Sequence, residues 1–262
     1  MKQGLCKLCL RTKQLQESHF LPAAVFRALL SPTERNPHPR FVSPNVTVDT
    51  SRQMKDYVLC FDCEQRFSKN GERWVLSHMA RNSSFPLQES LRKAPPIRSI
   101  PTLATYAAAS IPEIDVDKLE YFALSVFWRA AVHDWGPVHE QEYQRLELGP
   151  YEETLRQFLL GVVPFPAHVV MLISVYEELD ITRTAFPPVR GERMPEGRSY
   201  SFLIPGIQFS MSVGKGLPPE ITEFNSHGAE RRIFVARHIG WQADRLRSKL
   251  MLKQLGQAGS KR

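Results

Sequence analysis

The chain has 262 residues, with 34 Lys and Arg against 27 Asp and Glu and a formal charge of +7. Its length can bury one large core or two small ones, and 42% hydrophobic with 23% charged residues is an ordinary globular composition. No apolar run is long enough to cross a bilayer, and "MKQGLCKLCL" lacks the apolar stretch of a secretory signal. No membrane association is expected, and a cytoplasmic setting follows, where thiols stay reduced.

In chain order, the first feature is the cysteine pair of "CKLC", residues 6 to 9. "QLQESHF" reads as a strand that delivers His19, and "PAAVFRALL" as a short helix with Pro22 in its first turn. "SPTERNPHPRFVSPN" reads as loop, then "VTVDT" and "DYVLC" as strands. The second pair, "CFDC", opens "EQRFSKNGERWVLSHMA", helical with a break expected at Asn70-Gly71. Proline then becomes dense over 91–115, which reads as a linker or an extended strap.

The pattern changes beyond that point. "DVDKLEYFALSVFWRAAVHDW" carries Leu119, Phe122, Val126 and Ala130 on one wide helical stripe, with Asp115 or Asp117 as N-cap and Gly136-Pro137 as the stop. A central core helix is expected. "PYEETLRQFLLG" is a second helix closed by Gly161, and "HVVMLISVY" a buried strand. "SYSFLIPGIQFSMSV" reads as two strands joined at Pro205-Gly206, and "IGWQADRLRSKLMLKQL" as a basic helix. The expected organisation is α+β: a zinc-stabilised module over 1–90, a linker over 91–114, and a mixed helical and antiparallel-β domain over 115–262.

The spacing of Cys6, Cys9, Cys60 and Cys63 carries the strongest chemical signal. Two residues between cysteines let both thiolates of a tight knuckle face one ion, and two knuckles supply the four ligands of a tetrahedral zinc. A redox role for a CxxC pair needs a thioredoxin-like βαβ context, which this sequence lacks. Knuckle, hairpin, then a knuckle opening a helix is the order of a treble clef.

On "C-x2-C … S-H-F-x-P … L-C-F-D-C-E" the chain resembles the HNH endonucleases of the ββα-metal type, over residue 5 to about residue 70. It is also similar to a set of bacterial proteins carrying C-x2-C … SH-x2-P … C-x2-CE. The resemblance implies a catalytic role for His19, which matches the motif's histidine, as Pro22 matches its downstream proline. Ser18 stands where the motif has an acidic metal ligand, and Glu64 where it has Asn or His. Glu64 is therefore the candidate ligand for a catalytic Mg²⁺ or Mn²⁺, with zinc purely structural. The implied activity is metal-dependent hydrolysis of nucleic-acid phosphodiesters, DNA first, in a bacterial defence setting. The alternative is a zinc-dependent module that binds nucleic acid or protein without chemistry, as a subunit whose C-terminal part meets a protein partner.

Charge distribution bears on both readings. Residues 1–95 hold 15 Lys and Arg against 8 acids, 96–227 hold 10 against 17, and 228–262 hold 9 against 2. Basic ends around an acidic middle fit a polyanion ligand, or equally a basic tail that is a solvated helix face.

Overall fold

The computed structural model describes residues 2–30, 40–42, 47–49, 53–81, 84–138, 141–142, 144–177, 184–194 and 196–237. Its N-terminal part starts with β1 (Lys2–Leu5), which turns through the first cysteine pair into β2 (Thr12–His19). Helix α1 (Ala23–Leu29) follows, with Pro22 one position before its first residue, and then the short hairpin of β3 (Arg40–Val42) and β4 (Thr47–Asp49). Strand β3 falls inside a segment expected as loop. β5 (Lys55–Cys60) returns beside β2 to complete a three-stranded antiparallel sheet in the order β1-β2-β5.

A register shift interrupts the β2–β5 ladder, with Gln16 opposite Leu59 but Glu17 opposite Tyr57. Val58 is the extra residue of this bulge, and its carbonyl accepts the Lys7 amide of the first knuckle at 3.1 Å. The bulge thus ties the hairpin to the cysteine turn.

The chain runs from β5 directly into α2 (Phe61–Phe67), a π turn over Ser68–Glu72, and α3 (Arg73–His78). The break expected at Asn70-Gly71 does not occur. The helix widens there and continues, because Gly71 lies against the central helix α5 (Val116–Val132). A Cβ on Gly71 would come within 2.8 Å of the Phe122 amide nitrogen and 3.0 Å of the Lys118 carbonyl oxygen. The glycine marks a close helix crossing, not a stop. Helix α4 (Pro86–Leu91) completes this part.

Part of the segment read as a linker belongs to a sheet. β6 (Arg98–Ile100) and β7 (Leu103–Ala107) form a hairpin at the edge of a seven-stranded sheet, whose order is β11-β12-β13-β10-β14-β7-β6. Pro95, Pro96 and Pro101 fall outside the paired residues, so the prolines punctuate the strands and leave their ladders intact. The remaining strands are β10 (Val169–Tyr176), β11 (Phe186–Met194), β12 (Gly197–Ile204), β13 (Ile207–Val213) and β14 (Arg232–Ala236). The small ladder of β8 (Pro137–Val138) with β9 (Gln141–Glu142), helix α6 (Tyr151–Leu159) and the turn α7 (Pro219–Thr222) connect them. Pairing is antiparallel except between β10 and β14.

α5 is the centre of this architecture. Asp115 caps it by accepting the Lys118 amide at 3.0 Å, and it ends at Val132, before Gly136-Pro137. Almost every residue from Leu119 to Ala131 is buried, as expected for a helix apolar around most of its circumference. Phe122 and Phe127 pack edge-on against Phe202 of β12, and Phe122 also meets Phe209 of β13. Phe67 of α2 packs against Tyr121 and Trp128. One contiguous core therefore runs from Cys6 to Val235.

Helix α6 closes through a pair of turn bonds, from Val162 to the Gln157 carbonyl at 2.9 Å and from Gly161 to that of Phe158 at 2.8 Å. The expected Pro205-Gly206 turn joins β12 to β13, with Gly206 at φ +79° beneath the Phe85 ring. The basic helix expected over 239–255 lies outside the described residues. Among the described residues, no helix is long and apolar enough to cross a membrane.

Candidate metal centre

The first knuckle is the turn between β1 and β2. Its Cys6 amide donates to the Arg11 carbonyl at 3.0 Å, and Leu10 donates to the Cys6 carbonyl at 2.9 Å. The second straddles the junction of β5 and α2, where the Cys60 amide donates to Cys6 Sγ at 3.3 Å. Strand pairing brings the two knuckles together, since Leu15 on β2 lies opposite Cys60. All four sulfur atoms lie within 4.8 Å of one another.

This arrangement can hold a metal ion. Cys9 and Cys60 are 3.9 Å apart, nearly twice the length of a disulfide. A tetrahedron with metal–sulfur bonds of about 2.3 Å has sulfur–sulfur edges of about 3.8 Å. The protonation of the free thiols points the same way. Cys6 is drawn down to about 4 by the hydrogen bond from Cys63, while that same contact and burial push the Cys63 thiol far up. Burial also raises Cys60. So many thiolates do not ionise together unaided, whereas a bound cation deprotonates coordinating thiols.

Two cations stand beside the cluster. Lys13 pairs with Asp62 at 2.6 Å, which favours its charged form, and stands near the sulfurs of Cys60 and Cys9. Arg156 of α6 reaches across to donate to the carbonyl of Leu8, inside the first knuckle, at 2.7 Å. Its guanidinium is held by Glu153 through two bonds of 2.7 Å. Such outer contacts fix the knuckle backbone and would orient the ligands of a bound ion.

Glu64 and His19 occupy different surroundings. Ser18 is buried at 1% exposure, accepts the Leu59 amide at 3.2 Å and donates its hydroxyl to Glu64 Oε1. Burial raises the Glu64 carboxyl above the ordinary range, against the pull of Arg129. His19 neighbours Ser18 at the end of β2, opposite Lys55, and Lys55 pairs with Glu17 at 2.8 Å. Burial, and then Lys55, lower the His19 imidazole below its ordinary value, so it is neutral at physiological pH. Among the described residues His19 and Glu64 join no cluster of three metal-ligating side chains within 4.8 Å.

Sequence reasoning missed Arg129. Only 2% of its side chain is exposed, yet it pairs with Glu72, donates to the His19 carbonyl at 2.9 Å and lies 4.9 Å from the Phe67 ring centre. It fastens α5 to the base of the hairpin. A charged residue in an otherwise apolar helical stretch was the available signal. Glu120, one exposed per cent on the same helix, meets Ser226 at 2.7 Å, His227 at 2.8 Å and Arg231 at 3.3 Å. Asp117, Glu120 and His227 lie within 4.8 Å of one another, but Arg231 bonds to all three and supplies the cation of that cluster.

Comparison with protein-family models, with curated proteins and with solved structures finds no match.

Proposed function

We propose that the chain is a zinc-dependent nucleic-acid-binding protein whose N-terminal module is a treble clef of the HNH type. The observation that carries this reading is the convergence of four thiols from two knuckles, one in a hairpin turn and one at the start of a helix. Zinc suits four sulfur donors at tetrahedral spacing better than harder ions do. The segment that surrounds the centre has seven more positive than negative side chains over residues 1–95, which favours a phosphate backbone as ligand. A reducing, cytoplasmic compartment fits thiols that must stay free to coordinate.

Binding without chemistry is favoured by the Ser18–Glu64 contact. Ser18, before His19, and Glu64, after Cys63, stand at two metal-site positions of the resembled motif and satisfy each other, and burial raises the Glu64 carboxyl, which weakens it as a ligand for Mg²⁺ or Mn²⁺. A second reading, endonuclease action, is favoured by one feature. His19 is a neutral imidazole at a strand end, the state a general base needs to take a proton from water. A hard divalent ion would supply charge stabilisation at the phosphate, and Glu64 is the residue to hold it.

Elemental analysis tests the metal: one zinc per chain is expected, with Cys60→Ser losing both metal and fold, because binding free energy here is folding free energy. A metal content near zero, with no change in fold on chelation, refutes it. Binding to duplex DNA at about 50 and 200 mM salt tests the ligand, with strong weakening expected. Equal affinity at both refutes a phosphate-directed mode. Plasmid nicking with Mg²⁺ or Mn²⁺, abolished in His19→Ala, would establish the second reading in place of the first.

A further inference from the structure

The cysteine centre has an unusual outer face. Three of the largest exposed apolar side chains sit directly beside ligand cysteines: Leu5 before Cys6, Leu10 after Cys9 and Phe61 after Cys60, at 51%, 53% and 58% exposure. The four sulfurs lie within 4.8 Å of one another, so these three exposed side chains all branch from backbone next to one cluster, here called the tip. Leu10 is also held at φ +56°, in the left-handed region where a leucine is strained and glycine is not. Folding alone would be better served by glycine at position 10 and by polar residues at positions 5 and 61.

The charges at the tip say what could cover it. Residues 2–16 contain Lys2, Lys7, Arg11 and Lys13 and no acidic residue. Lys13 neutralises Asp62, the neighbour of Phe61. Lys7 and Arg11 are exposed, and among the described residues neither pairs with a carboxylate. With an ion bound, the centre carries a net charge of about −2, and because Lys13 and Arg156 are each already paired with a carboxylate, the cations left for a phosphate are Lys7 and Arg11.

From this we infer that the tip binds single-stranded nucleic acid, with a base stacked on Phe61, Leu5 and Leu10 against its neighbours, and Lys7 and Arg11 on the phosphates. The inference rests on the nucleic-acid reading above and names its substrate class. Aromatic platforms flanked by cations suit unpaired bases, whose faces are open, whereas a duplex buries those faces and offers such a tip only its backbone.

Fluorescence anisotropy with the full-length zinc-loaded chain, a labelled twelve-nucleotide oligo(dT) and a labelled duplex of the same length tests this. The wild type should prefer the single strand, and Phe61→Ala should weaken that binding on the order of tenfold, leaving duplex affinity and zinc content unchanged. Leu10→Gly should also weaken it while the melting temperature holds or rises, a combination that a merely structural leucine would not produce. Equal binding of both probes, unaffected by either variant, overturns the tip assignment, makes this face a protein-contact surface and leaves the nucleic-acid reading standing. If neither probe binds the wild type at low salt, the nucleic-acid reading fails, and the tip assignment fails with it.

Discussion

Arg129→Met should be among the most damaging single changes outside the cysteines. It removes a cation with 2% exposure from Glu72, whose side chain is itself only 15% exposed. It also strips the donor from the His19 carbonyl and the guanidinium from the face of Phe67. Breaking one side of a buried ion pair costs about 3–5 kcal/mol, since a charge stays behind without a partner. Methionine refills most of the volume, so about 4 kcal/mol is expected. For a chain of this length that lowers the melting temperature by roughly 8 °C. Glu72→Leu alone should cost less, about 2 kcal/mol, because Arg129 keeps its carbonyl acceptors. The double variant should fall short of the sum by about 2 kcal/mol, the signature of a direct pair. Scanning calorimetry measures all three. Metal content should not change, since none of the contacts of Arg129 is to a cysteine. Strict additivity, or an Arg129→Met variant within about 1 kcal/mol of wild type, would refute the pinning role.

Two further outcomes follow from other contacts. Gly71→Ala forces a methyl against the α5 backbone, and the overpacking, partly offset by alanine's helix propensity, should cost about 1–2 kcal/mol in urea unfolding; a stabilised variant would mean the crossing is looser than described. His19 titrates below its ordinary value near 6.5. Its stability contribution is therefore complete above that value and lost as pH falls through the lowered one. Lys55→Met should raise the imidazole pKa in an NMR titration and shrink this acid-side loss; an unmoved titration would rule out Lys55 as a cause.

Local chemistry was legible where it depended on spacing. CxxC pairs, the Asp115 cap, the alternation in "GIQFSMSV" and the Pro205-Gly206 turn each act over a few residues, and each appears in the structure. Long-range choices were hidden. Gly71 has the same local signature whether it ends a helix or lets another helix approach, and only the position of α5 decides between them. The prolines of 91–115 suggested a linker because a single sequence does not reveal that β14, more than a hundred residues later, pairs with β7. The same distance separates Arg129 from the carbonyls it serves. In the candidate site, the cysteines could be grouped from sequence alone. The partner of Glu64 could not, because Ser18 is remote in the chain and adjacent only once the hairpin has closed.

The burial of α5 has a kinetic consequence. A helix with a solvent face can fray or open on that side, exchanging its amide protons while the rest of the protein stays folded. α5 has sheet on one flank and α2, which bears Cys63, with the π turn that follows it on another, so its central amides reach solvent only when one of those layers departs. Proton exchange around Phe122 to Trp128 therefore reports an opening that breaches the core. Because α2 follows directly from Cys60, release of an ion from the thiols would be recorded in that same slow clock, far along the chain from the site of loss.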